Sequence, residues 1–289
     1  MDSTANAAEL IELARATLPL AAAEAWIGLL RPAVGLRRAD AGESTVGQLG
    51  GTPALPIGVE WPRSRAGQPL GFIASIDLGR IPVSALDVPL PADGTLLLFY
   101  RDPSEDPYEA FWIGDPEPDE QPPAGHVVFV PAGTETTPRT EPGATVYPEV
   151  PLAGDLIATG PRRGHPALDQ AVDGLPEQDR KFVTQTTPRV EFWDELSRRS
   201  RIPGHRLGGY AHAWQEPVEL EATWMRLGKA LPNSDPALQS EAQHWTLLVQ
   251  IDSDNEAEMM WFGSLYWAMR RDDIAATRFD AATFIFQVS

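Results

Sequence analysis

The chain states one order of landmarks twice, and this restricts its possible folds more than any single motif does. Leu49-Gly50-Gly51 is echoed by Leu207-Gly208-Gly209, and Ser75-Ile76-Asp77 by Gln250-Ile251-Asp252. Gly94-Thr95-Leu96 is echoed by Gly263-Ser264-Leu265, and Val127-Val128-Phe129-Val130 by Phe284-Ile285-Phe286-Gln287-Val288. The offset is 157 residues from Val127 to Phe284 and 175 from Ile76 to Ile251, so insertions must separate the copies. Each copy reads as a small sheet with one apolar face that it cannot bury alone. Two copies related by a pseudo-twofold axis could bury both faces together. Such short echoes also arise by chance, so a single α+β domain with common strand and turn vocabulary stands as the alternative.

The segments between the landmarks fill in this plan. Asn6-Ala7-Ala8-Glu9 has capping-box spacing, and Leu10, Leu13, Thr17 and Leu18 follow near helical period. Pro19 suits the first turn of a second helix, with Leu20, Ala23, Ile27 and Leu30 on one face. From about residue 46 strands and turns take over. Strands are expected over 70–77, 94–100 and 126–130, the second introduced by an Asp93-Gly94 turn. The stretch 102–123 holds eight carboxylates and no basic residue, and reads as a solvated loop around the apolar run 108–113. Residues 131–165, rich in Pro, Thr and Gly, mark the expected boundary. Helices are expected between 166 and 200 and over 219–230, with a loop or edge segment over 204–214. Closing strands are expected over 244–252, 264–269 and 283–288, with a short helix from about 272. The expected fold is therefore α+β, with mostly antiparallel sheets in two pseudo-repeated halves, peripheral helices and an N-terminal helical cap. The expected divisions are a cap at 1–40, a first β-rich half at 41–165 and a second half with helices at 166–289.

Composition excludes several classes of function. With 43% hydrophobic residues among 289, the chain can bury a sizeable core and is far from a disordered composition. It has no cysteine, which removes disulfides, thiolate catalysis and Cys-ligated zinc. A net charge of -18 repels phosphate backbones and anionic membranes, so neither nucleic acid nor membrane is an expected partner. Such a charge keeps a protein soluble and attracts a basic protein or peptide. Met1-Asp2-Ser3-Thr4 carries no positive leader, and Pro19 and Glu24 interrupt the apolar stretch 18–30, so a cytoplasmic location is expected.

Several motifs together resemble the YwqG-like bacterial family of unknown function. They are Leu247 to Asp254, then Met259-Met260-Trp261, Gly263-Ser264-Leu265-Tyr266-Trp267 and Phe286-Gln287. Gly50-Gly51-x-Pro53-x-Leu55-Pro56, Trp61-Pro62, Pro69-Leu70-x-Phe72 and Leu207-Gly208-Gly209-Tyr210 add to the likeness, which covers about residues 45–289. The resemblance implies an α+β fold on an antiparallel framework and no established activity. Trp261-Phe262-Gly263 is shorter than the Gly-Asp-containing turn usual in that family, so a turn presenting a carboxylate is missing here.

No complete catalytic motif is present: there is no GxSxG elbow, Walker loop, dinucleotide fingerprint or HExxH pair. Asp252, Asp254 and Glu256 alternate in one loop and could ligate a hard divalent cation, although Ala257 and Gly263 break the EF-hand pattern. Each could equally cap its own turn. Asp77 and Asp252 hold matching places and could pair across a pseudo-axis, or each could pin its own turn. His205 and His212 flank Gly208-Gly209 and could converge. Nine tryptophans are an unusual load, and rings beside polar turns can line a groove as well as a core. A groove between the halves would be lined by Gly50, Gly51, Trp61, Asp77, His205, Gly208, Gly209, Tyr210, Trp214, Gln250 and Trp261. The leading expectation is a non-enzymatic binding module for a basic protein or peptide, with an inhibitor- or immunity-like role among its forms. The alternative is a metal-assisted hydrolase or a small-molecule-binding protein using that cleft.

Overall fold

The structure is a computed structural model that describes residues 3–64, 67–101, 125–185, 191–200, 204–228 and 231–288. The acidic stretch 102–123 and its apolar run lie outside the described residues. Twelve strands are described: β1 (Arg31–Arg38), β2 (Gly47–Leu49), β3 (Ala54–Pro56), β4 (Gly71–Asp77), β5 (Thr95–Tyr100), β6 (Gly125–Val130), β7 (Thr136–Pro138), β8 (Val150–Thr159), β9 (His205–Leu207), β10 (Trp245–Asp254), β11 (Met259–Arg270) and β12 (Thr283–Val288). Eight helices accompany them: α1 (Ser3–Thr17), α2 (Leu20–Ile27), α3 (Pro166–Val172), α4 (Glu177–Thr184), α5 (Glu191–Ser200), α6 (Val218–Leu227), α7 (Pro236–Ala242) and α8 (Arg271–Ala275).

Ten strands form one sheet in the order β12-β11-β10-β9-β1-β8-β2-β4-β5-β6, and its ladders are antiparallel. The pair β1–β8 lies at the centre, in register from Arg31↔Thr159 to Arg38↔Leu152. One flank runs outward through β9, β10, β11 and β12, the other through β2, β4, β5 and β6. The sheet curls until its two edges approach, which makes it nearly a barrel. Gly125 on β6 lies so close to the Phe284 ring of β12 that a Cβ there would sit 2.2 Å from Cδ2. Tyr100 stacks on Phe284 at 4.9 Å between ring centroids.

Period-2 alternation decides which residues face inward. Leu96, Leu98 and Tyr100 of β5 join Leu265, Trp267 and Met269 of β11 in one inner core, along with Ile76 and Ile251. A bulge between Phe72 and Ala74 turns both Ile73 and Ala74 inward, and a bulge between Leu247 and Val249 does the same for Leu248 and Val249. The outer faces are covered differently. Over β4–β6, Leu55, Trp61, Leu70, Phe72 and Phe99 pack beneath the small β3–β7 ribbon. Over β10–β12, α6 lays Val218 and Ala222 on Trp245, Leu247, Tyr266 and Ile285. Helices α1 to α5 form a third apolar layer around Trp26, Leu168, Phe192 and Leu196. Trp26 donates its indole N–H to the Pro161 carbonyl at 2.9 Å.

Three expectations need correction. The segment 1–40 is more than a helical cap, because 31–38 is a central strand. Its Pro32 and Gly35 and its terminal arginines hide the pattern, and only Ala33 to Leu36 are fully buried. The stretch 131–165 contains β8, which runs through the middle of the sheet. The segment 204–214 includes β9, which is held between β1 and β10 and is not an edge. Three residues are too few to show a period. Among the described residues, no helix is long and apolar enough to cross a membrane.

Candidate functional site

The outer face of the second flank is polar where the motif residues fall, and those side chains hold down the loop after β9. Gly208 and Gly209 open the loop at φ 71° and 66°. A Cβ on Gly209 would sit 2.4 Å from Thr159 Oγ1, so the close approach itself requires glycine. Tyr210 N–H then donates to Thr159 Oγ1 at 2.9 Å. Gln250 Oε1 accepts from His212 N–H at 2.8 Å, and Tyr266 Oη donates to the His212 carbonyl. Gln287 Oε1 accepts from the N–H groups of Trp214 and Gln215, while its Nε2 donates to the Glu216 carbonyl and to Glu221 Oε1. Trp214 Nε1 donates to Ser264 Oγ, which donates to Asp252 Oδ1, and Gln250 Nε2 donates to the same oxygen.

The other side of this loop closes a cavity of about 150 Å³, lined among others by Arg162, Arg163, His165, Trp193, Tyr210 and Glu219. His165 precedes α3 and caps it: Nδ1 accepts from Ala167 N–H at 3.1 Å. The ring proton therefore sits on Nε2, 3.4 Å from Glu219 Oε2. The His165 ring meets Tyr210 edge-on at 4.9 Å, and the Arg31 guanidinium lies 4.5 Å from the centre of the Tyr210 ring. Glu219 is pulled toward neutrality by burial, but His165 and Arg31 outweigh this and hold its carboxyl below the usual range. Burial pushes the Tyr210 hydroxyl up to about 12. Burial also lowers Arg163, whose guanidinium rests 5.3 Å from the Trp193 ring centre.

The polar atoms around this cavity are incompletely satisfied. Tyr210 Oη, Glu219 Oε1 and Arg163 Nε are buried and make no hydrogen bond to a protein group. Tyr210 and Glu219 are only 2% and 3% exposed. A buried polar atom without a partner costs about 1–3 kcal/mol.

The expected site residues are only partly brought together. Tyr210 and Trp214 line the cavity; Gly208, Gly209 and Gln250 shape its loop. Trp61 and Trp261 do not converge. Trp61 lies in the outer cluster over β4–β6, donating to the Leu70 carbonyl, and Trp261 lies in the inner core near Tyr100 and Tyr147. Gly50 and Gly51 sit against the backbone of Tyr147 and Pro148 and the side chain of Glu149 instead of lining a cleft. Asp77 caps its own turn through Gly79 N–H and pairs with Arg80, while Asp252 is bound into the Gln250–Ser264 network. His205 Nδ1 accepts from Asp252 N–H, and its Nε2 faces Asp254 at 3.4 Å. His212 instead packs on Trp214.

The divalent-cation set is also dispersed. Asp254 caps the turn through the N–H groups of Glu256 and Ala257, and Glu256 pairs with Arg38. Among the described residues, no group of three or more His, Asp or Glu side chains could hold a metal ion. Arg163, His165 and Glu219 went unpredicted. The available signal was the run Arg162-Arg163-Gly164-His165, a basic cluster in a strongly acidic chain.

A family model described as a domain of unknown function (DUF1963) matches residues 47–288. The chain belongs to the DUF1963 family. The DUF1963 region starts at the first residue of β2, so β1, which joins the two flanks of the sheet, lies outside it. No curated protein matches the chain.

Proposed function

We propose that this DUF1963 chain is a small-molecule-binding protein and that its ligand is a small zwitterion held in the cavity under the 209–217 loop. The observation that carries this reading is the set of buried polar atoms without a protein partner on residues that line the cavity: Arg163 Nε, Tyr210 Oη and Glu219 Oε1. An anionic group suits the arginine side, and an ammonium donor suits Glu219 and Tyr210. About 150 Å³ matches the cavity size that takes a molecule as large as benzene.

The test is a thermal melt with alanine, propionate or ethylammonium, all at the same millimolar concentration. Alanine should raise the melting temperature by about 3 °C or more, and the single-charge probes by less. Tyr210→Phe and Glu219→Gln should abolish the difference. Equal shifts from all three probes, or none, would reject the reading.

We also infer that the sheet arose by doubling. Leu49↔Ala74 and Gln48↔Ser75 on one flank match Leu207↔Val249 and Arg206↔Gln250 on the other. Ile76↔Leu96 matches Ile251↔Leu265, and Thr95↔Val130 matches Ser264↔Gln287. Both bulges fall at the same step. The finer assignment to a YwqG-like group rests on the motifs from Leu247 to Gln287. A basic protein partner is the second reading, favoured by the net charge of -18.

A further inference from the structure

We infer that the first flank carries a second binding site, for a single uncharged polyhydroxylated ring. The argument uses the matched strand registers and not the ligand of the first cavity. On the outer face of the second flank, Arg206, Gln250, Ser264, Tyr266 and Gln287 fill the space beneath the loop. By register, their counterparts on the first flank are Gln48, Ser75, Thr95, Leu97 and Val130. Four of the five are smaller, and the difference leaves a second cavity of about 170 Å³ lined by all five together with Thr52 and Thr136.

The chemistry of this cavity differs from that of the first. No charged side chain lines it. The hydroxyl-bearing side chains of Thr52, Ser75, Thr95 and Thr136 line it, and those of Thr52 and Thr136 are exposed. Phe72, Leu97 and Val130, all buried, supply an apolar floor. An apolar floor with a rim of hydroxyls complements a ring that has C–H faces and hydroxyl edges, and the volume matches a six-membered ring. Hexoses and cyclitols share this chemistry.

Saturation-transfer NMR with glucose, galactose and myo-inositol tests the site and separates the two sources. At least one ring should receive magnetisation from the protein. Thr95→Val should weaken its binding about 5- to 10-fold, the loss of one hydrogen bond. Ser75→Gln, which installs the residue type of the second flank, should abolish the signal by filling the cavity. Adding alanine, the probe of the first cavity, should leave the signal unchanged. No transfer to any of the rings, or transfer that survives both substitutions undiminished, would overturn the proposal.

Discussion

Ile76 and Ile251 are both fully buried in one inner core, Ile76 opposite Leu96 and Ile251 opposite Leu265 in their ladders. Neither flank encloses this core alone. Each supplies one inner face, and the approach of β6 and β12 completes the enclosure.

Substitution at the two sites should therefore cost alike. Ile76→Ala and Ile251→Ala should each destabilise the protein by about 2–5 kcal/mol in denaturant melts. Phe262, which is 71% exposed, should tolerate Phe262→Ser far better. A loss at one isoleucine with no loss at the other would contradict a shared core.

Gln287 holds the far end of the 209–217 loop. Gln287→Met keeps the volume but removes four hydrogen bonds, leaving the N–H groups of Trp214 and Gln215 without their acceptor. A cost of at least about 2 kcal/mol is expected, with loss of the alanine-dependent rise in melting temperature. Retention of that rise would separate the loop from the cavity.

Glu221 gives the pH dependence a sign. Burial pushes its carboxyl up to about 7 from an ordinary value of 4.5. Between those values the folded state holds a proton that the unfolded state has released, so this group's contribution to stability falls as pH rises through the window. Glu221→Gln removes the ionisation and leaves an oxygen that can accept from Gln287. The variant should gain on the native protein by up to about 3 kcal/mol at pH 8 and by little at pH 4. A gain that does not depend on pH would contradict the assignment.

Calcium or magnesium at about 1 mM should shift the melting temperature by less than about 1 °C, since the partners of Asp252, Asp254 and Glu256 lie within the protein. A rise of several degrees would show that these carboxylates reorganise around a cation.

Strands β4, β5, β6, β10, β11 and β12 were legible because they are apolar runs set off by Gly, Pro or Asp, as in 94–100 and 245–252. Strand β1 was not, because it ends in two adjacent arginines, Arg37 and Arg38, which pair with Glu43, Asp155 and Glu256. Helix α7 also escaped notice, since a seven-residue helix starting at Pro236 spans only two turns of period. At the site, the Gly208-Gly209 turn pointed to Tyr210 and Trp214. Arg163, His165 and Glu219 reach the cavity from separate segments, and no spacing rule links positions whose meeting depends on the tertiary fold.

Native-state hydrogen exchange tests the shared core most directly. The amides of β4 and β10 should exchange only through global unfolding, with free energies equal to within about 1 kcal/mol, and Ile251→Ala should lower both by the same amount. If β10 loses protection in that variant while β4 keeps its own, the two flanks fold as separate units and the account fails.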